Sequence, residues 1–281
     1  MSDPVQIVSA FERKRRAPGH ASIVFRRSGE KTVVAAALVE SPLRLLTPRN
    51  HGKAAWAYLA SLGGGLVNGD RLEVSVHAAS DATAFISTQA STKVYRSPDG
   101  CSQHVDVRIS DGAAIAIMPD PVVCFAGARY EQRLDAAMEP RGSLLLLDGY
   151  TCGRAARGER WQFDRYESRT TVMRDGRLLL VDATRLDAFP GPIADRMGRF
   201  DVILSLLALG PRFAPIRDRM LSHDWAPGLD DDTIAAASPL GANGAILRVA
   251  ACRFENASRI FRSSFGLLAQ LLGDDPFARK W

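Results

Sequence analysis

An all-β fold is predicted by two features of this 281-residue chain and by the scarcity of a third. Short apolar or alternating runs recur at a spacing of roughly ten residues with Gly- or Asp-rich turns between them, the pattern of a sandwich, a barrel or a helical winding of sheets. One turn, Asp175-Gly176, has the strong two-residue hairpin chemistry. Helical periodicity is rare. In chain order, Ser22-Ile23-Val24-Phe25-Arg26 and Thr32-Val33-Val34-Ala35 flank the turn at Ser28-Gly29-Glu30. Leu72-Glu73-Val74-Ser75-Val76 alternates apolar with polar, as a strand buried on one face does. Ala84-Phe85-Ile86-Ser87 follows a turn at Asp81, and Val105-Asp106-Val107-Arg108-Ile109 alternates between Pro98-Asp99-Gly100 and Ser110-Asp111-Gly112. Arg169-Thr170-Thr171-Val172-Met173 and Arg177-Leu178-Leu179-Leu180-Val181 are the two arms of the Asp175-Gly176 hairpin.

The best helix runs from Ser258 to Leu272. Ile260, Phe261, Phe265, Leu268, Leu271 and Leu272 recur at three- and four-residue spacing, Ser258 caps the start and Gly273 the end. Such a stripe packs on a sheet or, exposed, fills a partner's groove. A weaker helix is expected over Asp230 to Ala237, where Asp230, Asp231 and Asp232 suit the positive end of a helix dipole. Pro190-Gly191-Pro192 marks an elbow before the C-terminal third.

Apolar residues make up 46% and charged residues 24%, enough for a sizeable core. No apolar run is long enough for a bilayer and no N-terminal secretory pattern is present, so the expectation is a cytoplasmic protein without a membrane partner. The four cysteines are irregularly spaced and read as reduced thiols. A net charge of +5 favours acidic partners. The densest basic run, Glu12-Arg13-Lys14-Arg15-Arg16, reads as a solvated, flexible arm over residues 1–20, ahead of one domain over 21–281. No stacking aromatics accompany the run, and no nucleic-acid partner is expected.

Gly63-Gly64-Gly65-Leu66-Val67-Asn68-Gly69-Asp70 invites a nucleotide-loop reading, and its chemistry refuses it. The Gly64-to-Gly69 frame fits a P-loop, but Asp70 stands where the phosphate-binding lysine belongs. A carboxylate there repels a phosphate. The dinucleotide pattern fails as well, because Asn68 follows where its third glycine is needed. No complete catalytic constellation emerges. The five histidines are scattered, and Cys101 and His104, three apart on a strand, point to opposite faces and cannot share one ion. No stable metal site and no catalytic residue is predicted.

Carboxylates beside turns and strand ends stand out instead. Asp70 closes the glycine loop, Asp120 lies between two prolines, and Asp148 and Asp182 end the apolar strands Leu144–Leu147 and Leu178–Val181. Partly desolvated aspartates need partners. One reading has them accept turn N–H groups or pair with Arg96, Arg129 or Arg154. The other has some of them line a polar passage for a divalent cation, since oxygen ligands hold a borderline metal weakly, as a conduit requires. Lys93-Val94-Tyr95-Arg96 divides similarly: on a strand Lys93 and Tyr95 share one face, Val94 and Arg96 the other. Arg96 then pairs with a nearby carboxylate, or the group forms a partner-binding patch.

The glycine loop, then Gln89-Ala90-Ser91-Thr92-Lys93-Val94-Tyr95-Arg96-Ser97, then Pro119-Asp120-Pro121-Val122-Val123-Cys124-Phe125-Ala126-Gly127-Ala128-Arg129, then Asp148-Gly149-Tyr150-Thr151-Cys152-Gly153-Arg154 and Gly158-Glu159 resemble, in order, the motifs of the urease accessory protein D family, called UreD or UreH. The resemblance runs from about Ala21 to the C-terminal helix. It departs at Asn68, where the family has glycine and where Asn tolerates a left-handed backbone, and at Cys124, where the family often has proline or an aromatic residue. It implies an extended superhelical stack of antiparallel β-sheets with few helices, mainly C-terminal. It further implies a non-enzymatic urease-maturation chaperone that binds apo-urease and recruits UreF and, through it, the GTPase UreG. Nickel is in transit and no cofactor is held permanently. On that resemblance Asp70, Thr92, Asp148 and Asp182 fall on or near the nickel route. Lys93, Tyr95, Arg96, Asp120, Arg129 and Glu159 are the candidates for interface or loop architecture. From residues alone two other classes stay open: a hydrolase or transferase with a dispersed site, which needs a His or Cys beside a carboxylate in a pocket, and a β-rich protein-binding module without a nickel role.

Overall fold

The structure, a computed structural model, describes residues 18–49, 52–189, 191–223, 225 and 231–275. The basic run at residues 12–16 and the Pro190 and Asp230 positions lie outside the described residues. A hairpin of β1 (Gly19–Ser28) and β2 (Lys31–Val39) opens the first sheet, and β3 (Leu43–Leu46) with β4 (Ala55–Ser61) opens the second. From there the chain alternates between the sheets. β5 (Arg71–Ala78) lies in the first and β6 (Thr83–Thr88) in the second; after the short β7 (Lys93–Val94), β8 (Cys101–Ile109) is in the first and β9 (Ala114–Met118) in the second. After β10 (Val122–Cys124) the alternation repeats with β11 (Arg129–Met138) and β12 (Ser143–Thr151), and then comes a small hairpin of β13 (Gly153–Arg154) and β14 (Glu159–Arg160). β15 (Arg165–Arg174) and β16 (Arg177–Asp187) finish the first sheet; after α1 (Ile193–Met197), β17 (Val202–Leu209) joins the second. α2 (Ala214–Ser222), β18 (Thr233–Leu240), β19 (Gly244–Ala251) and α3 (Phe254–Leu272) complete the chain.

The chain winds back and forth between two sheets, and both sheets are mixed, which corrects the antiparallel stack. In the first sheet β1, β5, β8, β11 and β15 are mutually parallel, with antiparallel β2 and β16 at its edges. In the second, β4, β6, β9 and β12 are parallel and the additions from β17 onward are antiparallel. The reason is connectivity: each coil crosses to the other sheet before returning, so neighbours in one sheet run the same way. The two ends of the winding differ accordingly. At one end tight turns join the sheets, and Asp81 N–H reaches Asp111 O while Asp111 N–H reaches the Glu139 carboxylate. At the other, long loops leave the C-terminal ends of β4, β6, β9 and β12, and these loops hold the glycine motif and its successors.

Burial follows the alternation. Ile23, Val74, Val76 and Val107 of the first sheet meet Ile86, Ile115, Ile117, Leu144 and Leu146 of the second in one core. The opposite side of the second sheet carries Trp56, Phe85, Met118, Leu145 and Leu206, covered by Met220 of α2 and Ile260, Phe261, Leu268 and Leu272 of α3. The predicted stripe therefore packs on the sheet. α3 begins a turn before Ser258, at Phe254, and ends at a left-handed Gly273 (φ 77°) whose N–H reaches Ala269 O. The Asp175-Gly176 hairpin forms with both residues at positive φ, 50° and 71°.

Where a helix was expected over 230–237, the described residues from Thr233 on form a strand. Thr233–Leu240 pairs along its length with β19, and Ser238-Pro239 would in any case stop a helix there. Asp148 and Asp182 do not end their strands either. β12 continues to Thr151 and β16 to Asp187, because ladder pairing with β17 and β15 runs on past both carboxylates.

Candidate functional site

A polar row crosses the interior. Cross-strand register aligns Gln103, Gln132, Ser168 and Thr184 on neighbouring strands of the first sheet, two positions from Leu134, Thr170 and Asp182. In the second sheet Asp148 is the next core-facing residue after Leu146, and its register partners are Ser205 and then Arg248. From Gln103 to Thr184 is three strand spacings of roughly 4.8 Å, about 14 Å.

Asp148 is the pivot of the row. Its Oδ1 accepts from Gln132 Nε2 at 2.7 Å and its Oδ2 from Ser168 Oγ at 2.8 Å. Gln132 Nε2 also lies 3.0 Å from Tyr166 Oη and from Ser168 Oγ. These partners are neutral. Burial, foremost, holds the Asp148 carboxyl above the usual range, the bonds from Ser168, Gln132 and the Gly149 N–H pull it down, and Asp182 pushes it up again. Asp182 is paired with Arg248, Oδ1 to Nη2 at 2.9 Å.

Three cavities follow the row and share walls. The largest, about 180 Å³, is bounded by Gly64, Thr88, Thr92, Lys93 and Gln103. Its walls include the exposed Gly64, Ala90 and Lys93, so it reaches the surface among the long loops. The second, about 80 Å³, shares Thr88 and Gln103 with the first and adds Gln132, Asp148 and Ser168. The third, about 20 Å³, shares Asp148 and Ser168 with the second and adds Asp182, Thr184 and Ser205. That last volume admits about one water. None of the three walls contains a His or Cys. Among the described residues no three His, Cys, Asp or Glu side chains come together as metal ligands. Burial pushes the thiols of Cys101 and Cys152 up to about 11 and that of Cys124 higher still. Cys101 is buried, whereas His104 on the outer face bonds Asp135 at 2.9 Å.

Of the residues singled out from sequence, Thr92, Asp148 and Asp182 line these cavities. Asp70 lines none of them: its Oδ2 accepts the Val67 N–H at 2.9 Å and braces the glycine loop. The left-handed residues there are Gly63, Gly64 and Gly69. Asn68 is not among them; its side chain instead clasps Asp99, Nδ2 to Oδ2 and Oδ1 to the backbone N–H, both at 2.8 Å. Gly65 must be glycine for space, since a Cβ would sit 2.6 Å from Lys93 O and 2.8 Å from the Tyr95 ring.

Two of the interface candidates, Tyr95 and Glu159, belong to one chain of contacts at the loop end. Tyr95 stacks edge-on against Phe125 at 5.1 Å, the Arg154 guanidinium lies 4.0 Å over Phe125, and Arg154 pairs with Glu159. Glu159 also accepts the Ala126 N–H, which with Arg154 as the leading cause holds its carboxyl below the usual range. Asp120 exchanges bonds with Thr88, its N–H to Oγ1 at 2.9 Å. Arg129 pairs with Asp164 at 3.1 Å. The strand at Lys93 stops at Val94, so Val94 is buried while Arg96 is exposed, rather than both sharing a face. Arg96 forms no ion pair among the described residues and lies against Gly127. Gln103, Gln132, Ser168, Thr184 and Ser205 were missed; each is a polar residue at a core-facing register position, a signal visible only once the strands are aligned.

No helix among the described residues is long and apolar enough to cross a membrane. A profile of the UreD urease accessory protein family matches residues 17–281. A protein named urease accessory protein UreD from Sorangium cellulosum is 49% identical over 263 residues, 94% of this chain and 84% of its own. Another of that name, from Anaeromyxobacter, is 41% identical over 260 residues, 91% of this chain and 87% of its own. Urease accessory protein D of Oryza sativa subsp. indica is 31% identical over 279 residues, 88% of this chain and 91% of its own. These relatives are named for assisting an enzyme, not as enzymes. With the motif loops gathered at one end of the winding and a match that spans nearly its whole length, this chain belongs to the UreD family of urease accessory proteins.

Proposed function

We propose that this protein is a scaffold and nickel conduit in urease maturation. It binds the urease apoprotein, recruits UreF and through UreF the GTPase UreG, and nickel passes along the polar row from the Thr92 cavity past Asp148 to Asp182. The observation that carries the conduit reading is the chain of three cavities with shared walls, in which Thr88, Thr92, Asp148, Ser168 and Asp182 place oxygens among largely apolar neighbours. Carboxylate, hydroxyl and amide oxygens hold a borderline cation loosely, and conduction needs sites that release as readily as they accept. Asp70, outside these walls, serves the loop.

The test is urease activity in cells that express the urease subunits with UreE, UreF and UreG and are supplied with nickel. Activity depends on this chain, and Asp148→Leu abolishes it while the variant still co-purifies with UreF. Full activity with Asp148→Leu removes the row from the mechanism. No dependence on the chain at all removes the maturation role.

A further inference from the structure

We propose that Arg248 is the releasing group at the far end of the polar row: its guanidinium holds Asp182 in the empty protein and keeps a divalent cation from being retained between Asp182 and Asp148. The inference deepens the conduit reading above and rests on it. Negative charge accumulates along the row. The largest cavity has no carboxylate in its wall and carries Lys93, the second has Asp148, and the third has both Asp148 and Asp182. The two carboxylates enter that third space, about 20 Å³, from opposite sheets, and Ser168, Thr184 and Ser205 add hydroxyls to the same wall. Asp148 registers the Asp182 charge across it, which helps to push its carboxyl above the ordinary range. A divalent cation drawn down such a gradient meets its strongest attraction at the end, where it has to leave.

Register places Arg248 at that end. Ser205 and Arg248 are cross-strand partners on β17 and β19, two positions from Leu207 and Ile246 of the cavity wall. From there Arg248 Nη2 crosses to the other sheet and meets Asp182 Oδ1 at 2.9 Å. The Asp182 side chain is 30% exposed and that of Arg248 56%, so the pair stands at the solvent edge of the row. An ion pair that exposed does little as a staple between the sheets. It yields to a divalent cation, whose double charge attracts Asp182 more strongly. The displaced guanidinium stays beside the carboxylate and competes for it again, so the cation is released instead of trapped.

The experiment is equilibrium dialysis of the purified full chain against nickel chloride at neutral pH. It compares wild type, Arg248→Met, Arg248→Met/Asp182→Asn and a control, Arg177→Met, which removes an exposed arginine at the tight-turn end. Expected is a gain in nickel affinity of at least tenfold by Arg248→Met, a return to the wild-type value in the double variant, and less than a twofold change in the control. In the activation assay at limiting nickel, Arg248→Met yields at least threefold less active urease than wild type, and excess nickel restores it. Nickel affinity of Arg248→Met within twofold of wild type overturns the role. So does a gain that persists when Asp182 is replaced by Asn, or one matched by the control, which would reflect net charge alone. These failures leave the conduit reading standing as long as Asp148→Leu blocks activation. Full activation with Asp148→Leu refutes the conduit and removes the release role with it, whatever nickel Arg248→Met retains.

Discussion

Replacing Asp148 with Asn should stabilise the protein at neutral pH while it impairs activation. Ionised Asp148 is a half-buried charge with neutral partners, Gln132 Nε2 at 2.7 Å and Ser168 Oγ at 2.8 Å. Asparagine keeps both: its carbonyl accepts from Gln132 and its amide donates to the Ser168 hydroxyl, each bond contributing about 1 kcal/mol net. What it removes is the cost of a half-buried charge with no cationic partner, on the order of 1–3 kcal/mol at pH 8, the scale of an unsatisfied buried polar group. At about 2 °C per kcal/mol for a chain of this size, Tm rises by roughly 2–6 °C. The pH dependence follows from the direction of the shift. Burial raises the folded-state pKa, so the Asp148 contribution is fully present below the ordinary carboxylate range, near pH 4, and is lost as pH rises through the raised value. The gain from Asp148→Asn is therefore greatest at pH 8 and vanishes toward pH 4. Thermal unfolding of both proteins across that range measures it. A variant less stable than wild type at pH 8, or a Tm difference independent of pH, would refute the account of Asp148 as a half-buried acid with no cationic partner.

Gly65→Ala should cost about 1–3 kcal/mol by overpacking, because its Cβ would meet Lys93 O at 2.6 Å; an unchanged denaturation midpoint would show that the loop yields. Leu268→Ala, at a position with no exposed surface on α3, should cost about 2–5 kcal/mol in urea unfolding, and a loss below about 1 kcal/mol would mean that the helix is not seated on the sheet. Thiol labelling at pH 8 should reach Cys252 first among the four cysteines, because Cys101, Cys124 and Cys152 are buried; rapid native-state modification of Cys124 would contradict its burial.

Local chemistry was legible where one segment carried the whole signal. The alternation at Leu72–Val76, the Asp175-Gly176 turn and the stripe capped by Gly273 all appear where their residues indicate. Strand direction was not legible, because a parallel neighbour is made by a crossover through the other sheet and leaves no mark in the strand itself. Residues 233–237 misled for a related reason: an Ala-rich stretch with acids ahead of it prefers helix in isolation, and pairing along the edge of β19 outweighs that preference. At the candidate site, resemblance pointed to Thr92, Asp148 and Asp182, which line the cavities, and to Asp70, which does not. Gln132 and Ser168 had no local signal, since each looks like an ordinary polar residue until register sets it opposite Asp148.

The parallel winding also accounts for the continuity of the polar row. In a parallel pair each coil repeats the level of the one before, so one polar residue per coil at the same level yields an unbroken line across the sheet. Gln103, Gln132 and Ser168 occupy that level on three successive parallel strands, and antiparallel β16 adds Thr184 at the edge. The row lies at the loop side of the core, one step beyond Ile86, Ile117 and Leu146, where the strands of the second sheet run out into the motif loops. An interior polar row is tolerated there because Gln132, Ser168 and Asp148 bond one another and because the cavities beside the row have room for water. Farther toward the tight turns the same positions are Val107, Ala136 and Val172, and the core closes. The depth at which polar residues give way to apolar ones thus confines the row to the loop side, so loop architecture and interior passage form one functional unit at one end of the fold.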